Sequence, residues 1–291
     1  MSNEAAIGII GGSGLYDMEG IGTWEEIAVN TPFGQPSGVL RVGSMNGRKV
    51  VFLPRHGDGH RVDPTHIPYR ANIHAMKELG VRKILSVSAV GSMKEEIEAG
   101  DMVVVDQFID RTRHRADSFY GDGCVVHVSF ADPVCPKLRP QLVRSCRSLD
   151  LTVHDGGTYV CMEGPAFSTR GESLMYRQFG VSVIGMTNLT EAKLAREAEI
   201  CYATLALATD YDCWHEGEED VSVEAVVATL KRNVANAKKI LGNVIAEIDA
   251  HADCSCHHAL EGAVMTAPDA ISPESRGRLS LLLDRVMRQG N

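Results

Sequence analysis

Ala6-Ile7-Gly8-Ile9-Ile10, followed at once by Gly11-Gly12-Ser13-Gly14, is the stretch on which the fold turns. An unbroken apolar run of this length reads as a strand buried on both faces, and such strands belong to sheets covered by helices on each side. The glycines end it in a tight turn. Downstream the same alternation continues. Val39–Val42 and Lys49–Leu53 flank Met45-Asn46-Gly47-Arg48, a hairpin signal. Tyr69–Leu79 carries Ile73, Met76 and Leu79 at helical spacing and stops at Gly80. Lys83–Val87 is a strand leading into Ser88-Ala89-Val90-Gly91-Ser92, and Met102–Gln107 is another.

Residues 136–149 read as a helix, 157–162, 182–186 and 201–208 as strands, and 190–199 as the helix between the last two. Ser222 caps a long amphipathic helix with Val223, Val226, Val227, Leu230, Val234, Ala237, Leu241, Val244 and Ile248 on its apolar face. Residues 251–269 read as loop. Ser272-Pro273-Glu274 then opens a final helix containing Leu279, Leu282, Leu283 and Val286. No repeat or linker interrupts the pattern, so a single α/β domain over 1–291 is expected.

The chain has 38 acidic and 29 basic residues, a net charge of -9, which disfavours nucleic acid and anionic membrane surfaces as partners. No stretch approaches the ~20 apolar residues of a membrane span, and no signal peptide is visible at Met1–Ala6, so a cytoplasmic location is expected. The eight cysteines read as buried thiols in a cytosolic mesophile and as candidate disulfides in a hyperthermophile. Cys254-Ser255-Cys256-His257-His258 is too crowded for Cys-x2-Cys spacing, and no second pair stands at the right distance. It reads as a loop with two thiols, and no metal ligand set is expected.

Three strand ends carry small donors and charge. Gly11-Gly12-Ser13-Gly14 lacks the Walker lysine and the third Rossmann glycine, leaving a phosphate cradle or a plain turn. Arg55-His56 holds a dianion or lies on the surface. Ser88–Ser92 closes a third strand, and ligands of open α/β sheets bind just outside such ends. Asp210-Tyr211-Asp212 ends an apolar strand. Residues two apart share a side, so its carboxylates either cap the next segment or accept from an exocyclic amine and a protonated ring nitrogen.

In this order, Gly11–Leu15, Thr31-Pro32-Phe33-Gly34, Arg55-His56-Gly57, Asp106–Thr112, Glu163-Gly164-Pro165-Ala166-Phe167-Ser168 and Ala208–Trp214 resemble the methylthioadenosine branch of the trimeric purine nucleoside phosphorylases. The resemblance covers about residues 5–250, and 251–291 lie beyond it. It implies a mixed central β-sheet, partly closed into a barrel and flanked by helices. It implies phosphorolysis of methylthioadenosine to adenine and 5-methylthioribose 1-phosphate, with phosphate as co-substrate and no metal or organic cofactor. Ser13, Arg55, His56, Ser88, Ala89 and Thr187 then hold phosphate. Asp210 serves N7 of the leaving purine and Asp212 its 6-amino group. Phe167 packs on the base, Met186 lies beneath the ribose, and Tyr211 is a further substrate contact. Ser168, Val223 and Val226 set specificity, the valines as an apolar wall for the methylthio group. His127 reaches over the pocket of a neighbouring subunit, which implies a homotrimer, alone or stacked in pairs.

Three other readings compete. A 6-oxopurine or methylthioinosine phosphorylase favours asparagine where Asp210 stands, because a 6-oxo group needs a donor. A hydrolytic nucleosidase has no use for the Arg55-His56 anion clamp. A non-catalytic nucleotide-binding protein has no need for competent chemistry at every matched position.

Overall fold

The structure is a computed structural model that describes residues 5–15, 18, 20–215 and 223–289; for Ser13, residues 223–227 and Gln289 it describes the backbone alone. Among the described residues eleven strands form one mixed sheet. They are β1 (Ala6–Gly11), β2 (Glu25–Ile27), β3 (Leu40–Met45), β4 (Arg48–Pro54), β5 (Val81–Ser92), β6 (Met102–Val104), β7 (Gln107–Arg111), β8 (Val153–Asp155), β9 (Thr158–Met162), β10 (Val183–Gly185) and β11 (Cys201–Tyr211). The helices are α1 (Tyr69–Glu78), α2 (Arg139–Ser148), α3 (Arg170–Gln178), α4 (Asn188–Glu197), α5 (Val223–Glu247), α6 (Pro273–Arg278) and α7 (Ser280–Gln289).

The sheet runs β2-β3-β4-β1-β5-β10-β9-β7, with β11, β6 and β8 branching from β5. β4, β1, β5 and β11 are mutually parallel neighbours, so their carboxyl ends share one edge. The first strand is buried at every position, as its unbroken apolar run requires. Its alternate residues divide between two helical layers. Ile7 and Ile9 join Phe52, Leu85 and Leu205 in the core beneath α2 and α5. Ala6 and Ile10 join Val51, Ile84 and Tyr202 in the core beneath α1 and α4. The two branches of the sheet approach where Gly156 N–H donates to Val104 O (3.1 Å) and Asp106 N–H to Gly157 O (3.2 Å). No ladder among the described residues links β6 to β9, so strand pairing alone leaves the barrel open.

Several elements differ from the sequence reading. β5 extends to Ser92, because β11 pairs along it through Tyr211. Residues 88–92, read as the closing stretch of this strand, are part of it throughout. The final helix is two, α6 and α7, meeting at the buried Leu279 between Gly277 and Ser280, a Gly/Ser break. Its start is as expected, with Ser275 N–H donating to the Ser272 hydroxyl (3.1 Å). Edge strands β2, β7 and β8 and helix α3 were not expected. Residue Ser222, the expected cap of α5, lies outside the described residues.

Candidate active site

The shared strand edge gathers the anion-binding candidates. Gly11 pairs with Pro54, and Arg55 N–H donates to Gly11 O (3.0 Å), so the glycine turn and the arginine are adjacent. Arg55 is almost wholly buried. Its Nε donates to Glu191 Oε1 (2.5 Å), Nη2 to Glu191 Oε2 (3.2 Å) and Ser86 Oγ (2.6 Å), and Nη1 to Val87 O (2.8 Å). Burial works against this charge, and the Glu191 carboxylate outweighs it, raising the pKa and holding the guanidinium protonated. Of five guanidinium N–H groups, these bonds leave one on Nη1 unused. The fork expected for an anion is thus held mainly by Glu191. That carboxylate also accepts from Ser86 Oγ (2.8 Å) and Tyr202 OH (2.9 Å). Asn188 Nδ2 donates to Ser86, Tyr202 and Thr204 at 2.7–2.9 Å, closing a buried network.

His56 is half-buried. Its Nδ1 lies 2.8 Å from Val62 O, so Nδ1 carries the proton and Nε2 presents a lone pair, and its ring stacks on His60 at 4.1 Å. Burial pushes its pKa down to about 4, and the Arg55 charge adds to this. Ser88 is buried, while Ala89 is the one exposed residue of β5, where the strand opens to the cleft. Thr187 stands at the N-cap of α4, with a buried Oγ1 that has no hydrogen-bond partner. A helix start with an idle buried hydroxyl suits an anion. The Ser13 side chain lies outside the described residues.

The carboxylate pair sits on the same edge. A bulge at Thr209 interrupts the β11–β5 register and sets Asp210 opposite Gly91. A Cβ on Gly91 would lie 3.1 Å from Ile184 Cγ2 and at ordinary contact distance, 3.5 Å, from Asp210 Oδ1 and the Asp212 Cβ, which places Gly91 beside both aspartates. Thr209 Oγ1 donates to Asp210 Oδ2 (2.6 Å), and Ser168 Oγ lies 2.9 and 2.7 Å from the two oxygens of Asp212. The structure thus brings Ser168, Asp210 and Asp212 together. Phe167 beside them is 84% exposed, an uncovered aromatic face. Tyr211 is placed differently: its ring stacks on His215 (4.5 Å) and meets Trp214, and its hydroxyl donates to Glu95 O (3.0 Å).

Met186 follows β10, and Gly164 packs on it so closely that a Cβ would lie 2.6 Å from its Sδ. Arg115 braces this floor. Its Nη1 donates to Met186 O and to Tyr69 OH (3.0 Å), its Nη2 to Glu163 O (2.7 Å) and its Nε to Glu163 Oε1 (3.1 Å). Glu163 also accepts from Thr65 Oγ1 (2.9 Å) and the N–H groups of Arg113 and His114. His127 is exposed on an outer segment and, among the described residues, bonds no strand-end side chain. Its N–H donates to Ala263 O (2.9 Å), Val126 bridges to Val264, and Met265 N–H donates to Val125 O (2.9 Å). The side chains of Val223 and Val226 lie outside the described residues.

Sequence reasoning missed Glu191, Asn188, Ser86, Tyr202, Glu163 and Arg115 as site supports. One signal was present: Asn188 and Glu191, three apart, fall on the buried face of a helix, where a carboxylate requires a charged partner.

Parallel strand ends bearing a buried, ion-paired arginine, an unpartnered threonine hydroxyl at a helix start and a paired-aspartate edge suit an anion held beside a group that offers N–H donors. The chain belongs to the Phosphorylase superfamily, whose pattern matches residues 6–246, and it is a pentosyltransferase of the nucleoside phosphorylase type. It is 58% identical to the S-methyl-5'-thioadenosine phosphorylase of Geobacter sulfurreducens over 96% of this chain and 98% of the relative. It is 53% identical to that of Thermosynechococcus vestitus over 97% and 99%. A crystal structure of methylthioadenosine phosphorylase from an antarctic soil metagenomic library superimposes with a TM-score of 0.93 at 49% identity, covering 97% of this chain and 100% of the other. The Schistosoma mansoni methylthioadenosine phosphorylase in complex with adenine gives 0.82 at 36% identity, covering 91% and 100%.

Proposed function

We propose that this chain catalyses the reversible phosphorolysis of S-methyl-5'-thioadenosine to adenine and 5-methylthioribose 1-phosphate. The observation that carries this is the common strand edge, where the Arg55–Thr187 anion corner and the Asp210–Asp212 pair lie on neighbouring elements. Between them fits a ribosyl ring, with phosphate on one side and purine on the other. The C1'–N9 bond breaks toward a ribosyl cation, and a phosphate oxygen captures C1'. Asp210 holds the proton that N7 needs as the purine leaves, and Asp212, oriented by Ser168, accepts from the 6-amino group. Phosphate takes the remaining Arg55 N–H, the Thr187 hydroxyl, the Ala89 N–H and the hydroxyls of Ser13 and Ser88. His56, neutral with Nε2 as acceptor, fits the O–H of monohydrogen phosphate. Phe167 covers the base and Met186 the ribose.

The reaction involves no net oxidation or reduction, and phosphate is the only co-reactant it requires. Val223 and Val226 are read as the methylthio wall and Tyr211 as support of the strand end. His127 is read as the contribution of a neighbouring copy in a trimer, and 1–291 as one domain of a cytoplasmic enzyme. The test is incubation with methylthioadenosine with and without phosphate. Phosphate-dependent adenine release is expected. Equal release without phosphate identifies a nucleosidase, and turnover confined to 6-oxopurine nucleosides identifies the other phosphorylase branch.

A further inference from the structure

The fold assembles a group of side chains that chain spacing conceals. Cys135 lies four residues before α2, its N–H donating to Tyr202 O (2.8 Å), and Cys201 is the first residue of β11. Cys254 and Cys256 flank the start of a short 3-10 turn at Ser255–His258. All four are buried, and their Sγ atoms all lie within 4.8 Å of one another, with Cys135 and Cys254 at 3.6 Å. Four sulfurs around a tetrahedral ion at a metal–sulfur distance of about 2.3 Å stand about 3.8 Å apart. Two separate disulfides would instead segregate the sulfurs into two pairs.

We propose that Cys135, Cys201, Cys254 and Cys256 form a tetrathiolate site for a thiophilic divalent cation, zinc or iron. Tetrahedral S4 sets select these ions over magnesium or calcium. Binding displaces the thiol protons to solvent and leaves a dianionic centre. The surroundings suit such a centre. His257 Nδ1 lies 2.8 Å from Arg82 Nη2 and 3.3 Å from Asp253 Oδ1; accepting from the nearer guanidinium leaves the proton on Nε2. That Nε2 lies 3.5 Å from Cys201 Sγ and 3.3 Å from Arg82 O, so its N–H is shared between the carbonyl and a sulfur in the manner of the outer hydrogen bonds that metal-bound thiolates commonly receive. Arg82 and Lys83 on β5, the latter donating from Nζ to Ala252 O (2.9 Å), set positive charge beside the loop, offset in part by Asp253, whose Oδ1 lies 4.0 Å from Arg82 Nη2.

The site is structural. Cys201 and Asp210 are nine residues apart on one strand, about 30 Å, so the cluster lies at the opposite end of β11 from the proposed chemistry. Two ligands lie within 6–246 and two beyond it. The ion would therefore fasten the C-terminal segment to the shared core.

Elemental analysis of protein purified without chelator is expected to find one zinc or iron per chain. Reduced protein stripped of metal is expected to take up one equivalent of Co2+ with the charge-transfer and d–d absorption of a tetrahedral thiolate complex. Cys254→Ser combined with Cys256→Ser is expected to abolish both results, while Cys213→Ser, an exposed cysteine outside the cluster, keeps them. If the double variant fails to fold, Cys256→His, which retains a ligand, is expected to bind Co2+ with a shifted spectrum. Three results overturn the proposal: folded, reduced protein that gives no thiolate-cobalt absorption, metal content unaffected by the cluster substitutions, or a non-reducing mass showing these four cysteines bridged and metal-free.

Discussion

The Arg55–Glu191 pair allows folding and phosphate binding to be separated in one experiment. Each partner is at most 3% exposed, and Glu191 accepts four hydrogen bonds, two from Arg55 and one each from Ser86 and Tyr202. Glu191→Leu leaves the guanidinium charged and buried, at a cost of about 3–5 kcal/mol, and Arg55→Met leaves the carboxylate in the same position at a similar cost. Replacing both removes the two charges together, which is often near neutral. Here Ser86 and Tyr202 still lose an acceptor, so the double variant retains a loss of about 2–4 kcal/mol. Singles summing to about 6–10 kcal/mol against that value require a coupling of at least about 2 kcal/mol. Urea unfolding at fixed protein concentration measures all four corners of the cycle. Phosphate titration of the same proteins gives the second readout. If Arg55 touches phosphate, the double variant recovers stability and yet keeps the raised phosphate requirement of Arg55→Met. Additive stability losses would refute the buried ion pair. A phosphate requirement that returns to normal in the double variant would show that Arg55 only braces the fold.

Asp210→Asn is expected to shift preference from 6-amino toward 6-oxo purines by about ten- to a hundredfold, since the amide can donate to O6; the ratio of kcat/KM on methylthioadenosine and methylthioinosine measures it. Phe167→Ala is expected to raise KM for the nucleoside severalfold while unfolding within about 0.5 kcal/mol of the parent, because the ring has few neighbours to lose; a large stability loss would place that ring in the core. His56 titrates near 4 in the folded chain and near its ordinary 6.5 when unfolded. The unfolded state therefore binds the proton first, and the stability this residue contributes is full above pH 6.5 and lost as pH falls toward 4. His56→Gln is expected to flatten that part of the urea-midpoint profile, and an unchanged slope would show the imidazole to be solvated.

The elements legible from local pattern were those whose burial is two-sided or whose turns need special residues. Unbroken apolar runs marked β1 and β11, and Asn46-Gly47, both at positive φ, marked the β3–β4 hairpin. Helix α3 was legible in principle, for Thr169 and Glu172 form a reciprocal capping box. Strand β7 carries no such mark: Gln107-Phe108-Ile109-Asp110-Arg111 lies at the sheet's edge with half of its surface polar. In the site, the resemblance drew attention to groups that would touch ligand. Their supports depend on contacts between residues far apart in the chain, such as Arg55 and Glu191, separated by 136 positions. The same limit applied to the cysteines, where Cys-x2-Cys spacing tests for ligands on one loop and has no power when two come from a helix approach and a strand start.

The segment carrying His127 leans on residues 263–266 of the tail, and the tail meets β5 and β11 only near their amino ends, at Arg82, Lys83 and Cys201, whereas the proposed chemistry sits at the carboxyl ends of those strands. On the proposed assignment this separates two kinds of evolutionary change. Substitutions and insertions in the tail can re-aim a neighbour's reach over the 5' substituent while the bond-breaking machinery stays as it is. Residues 263–266 are accordingly where a mutant library should be diversified to admit bulkier 5' groups.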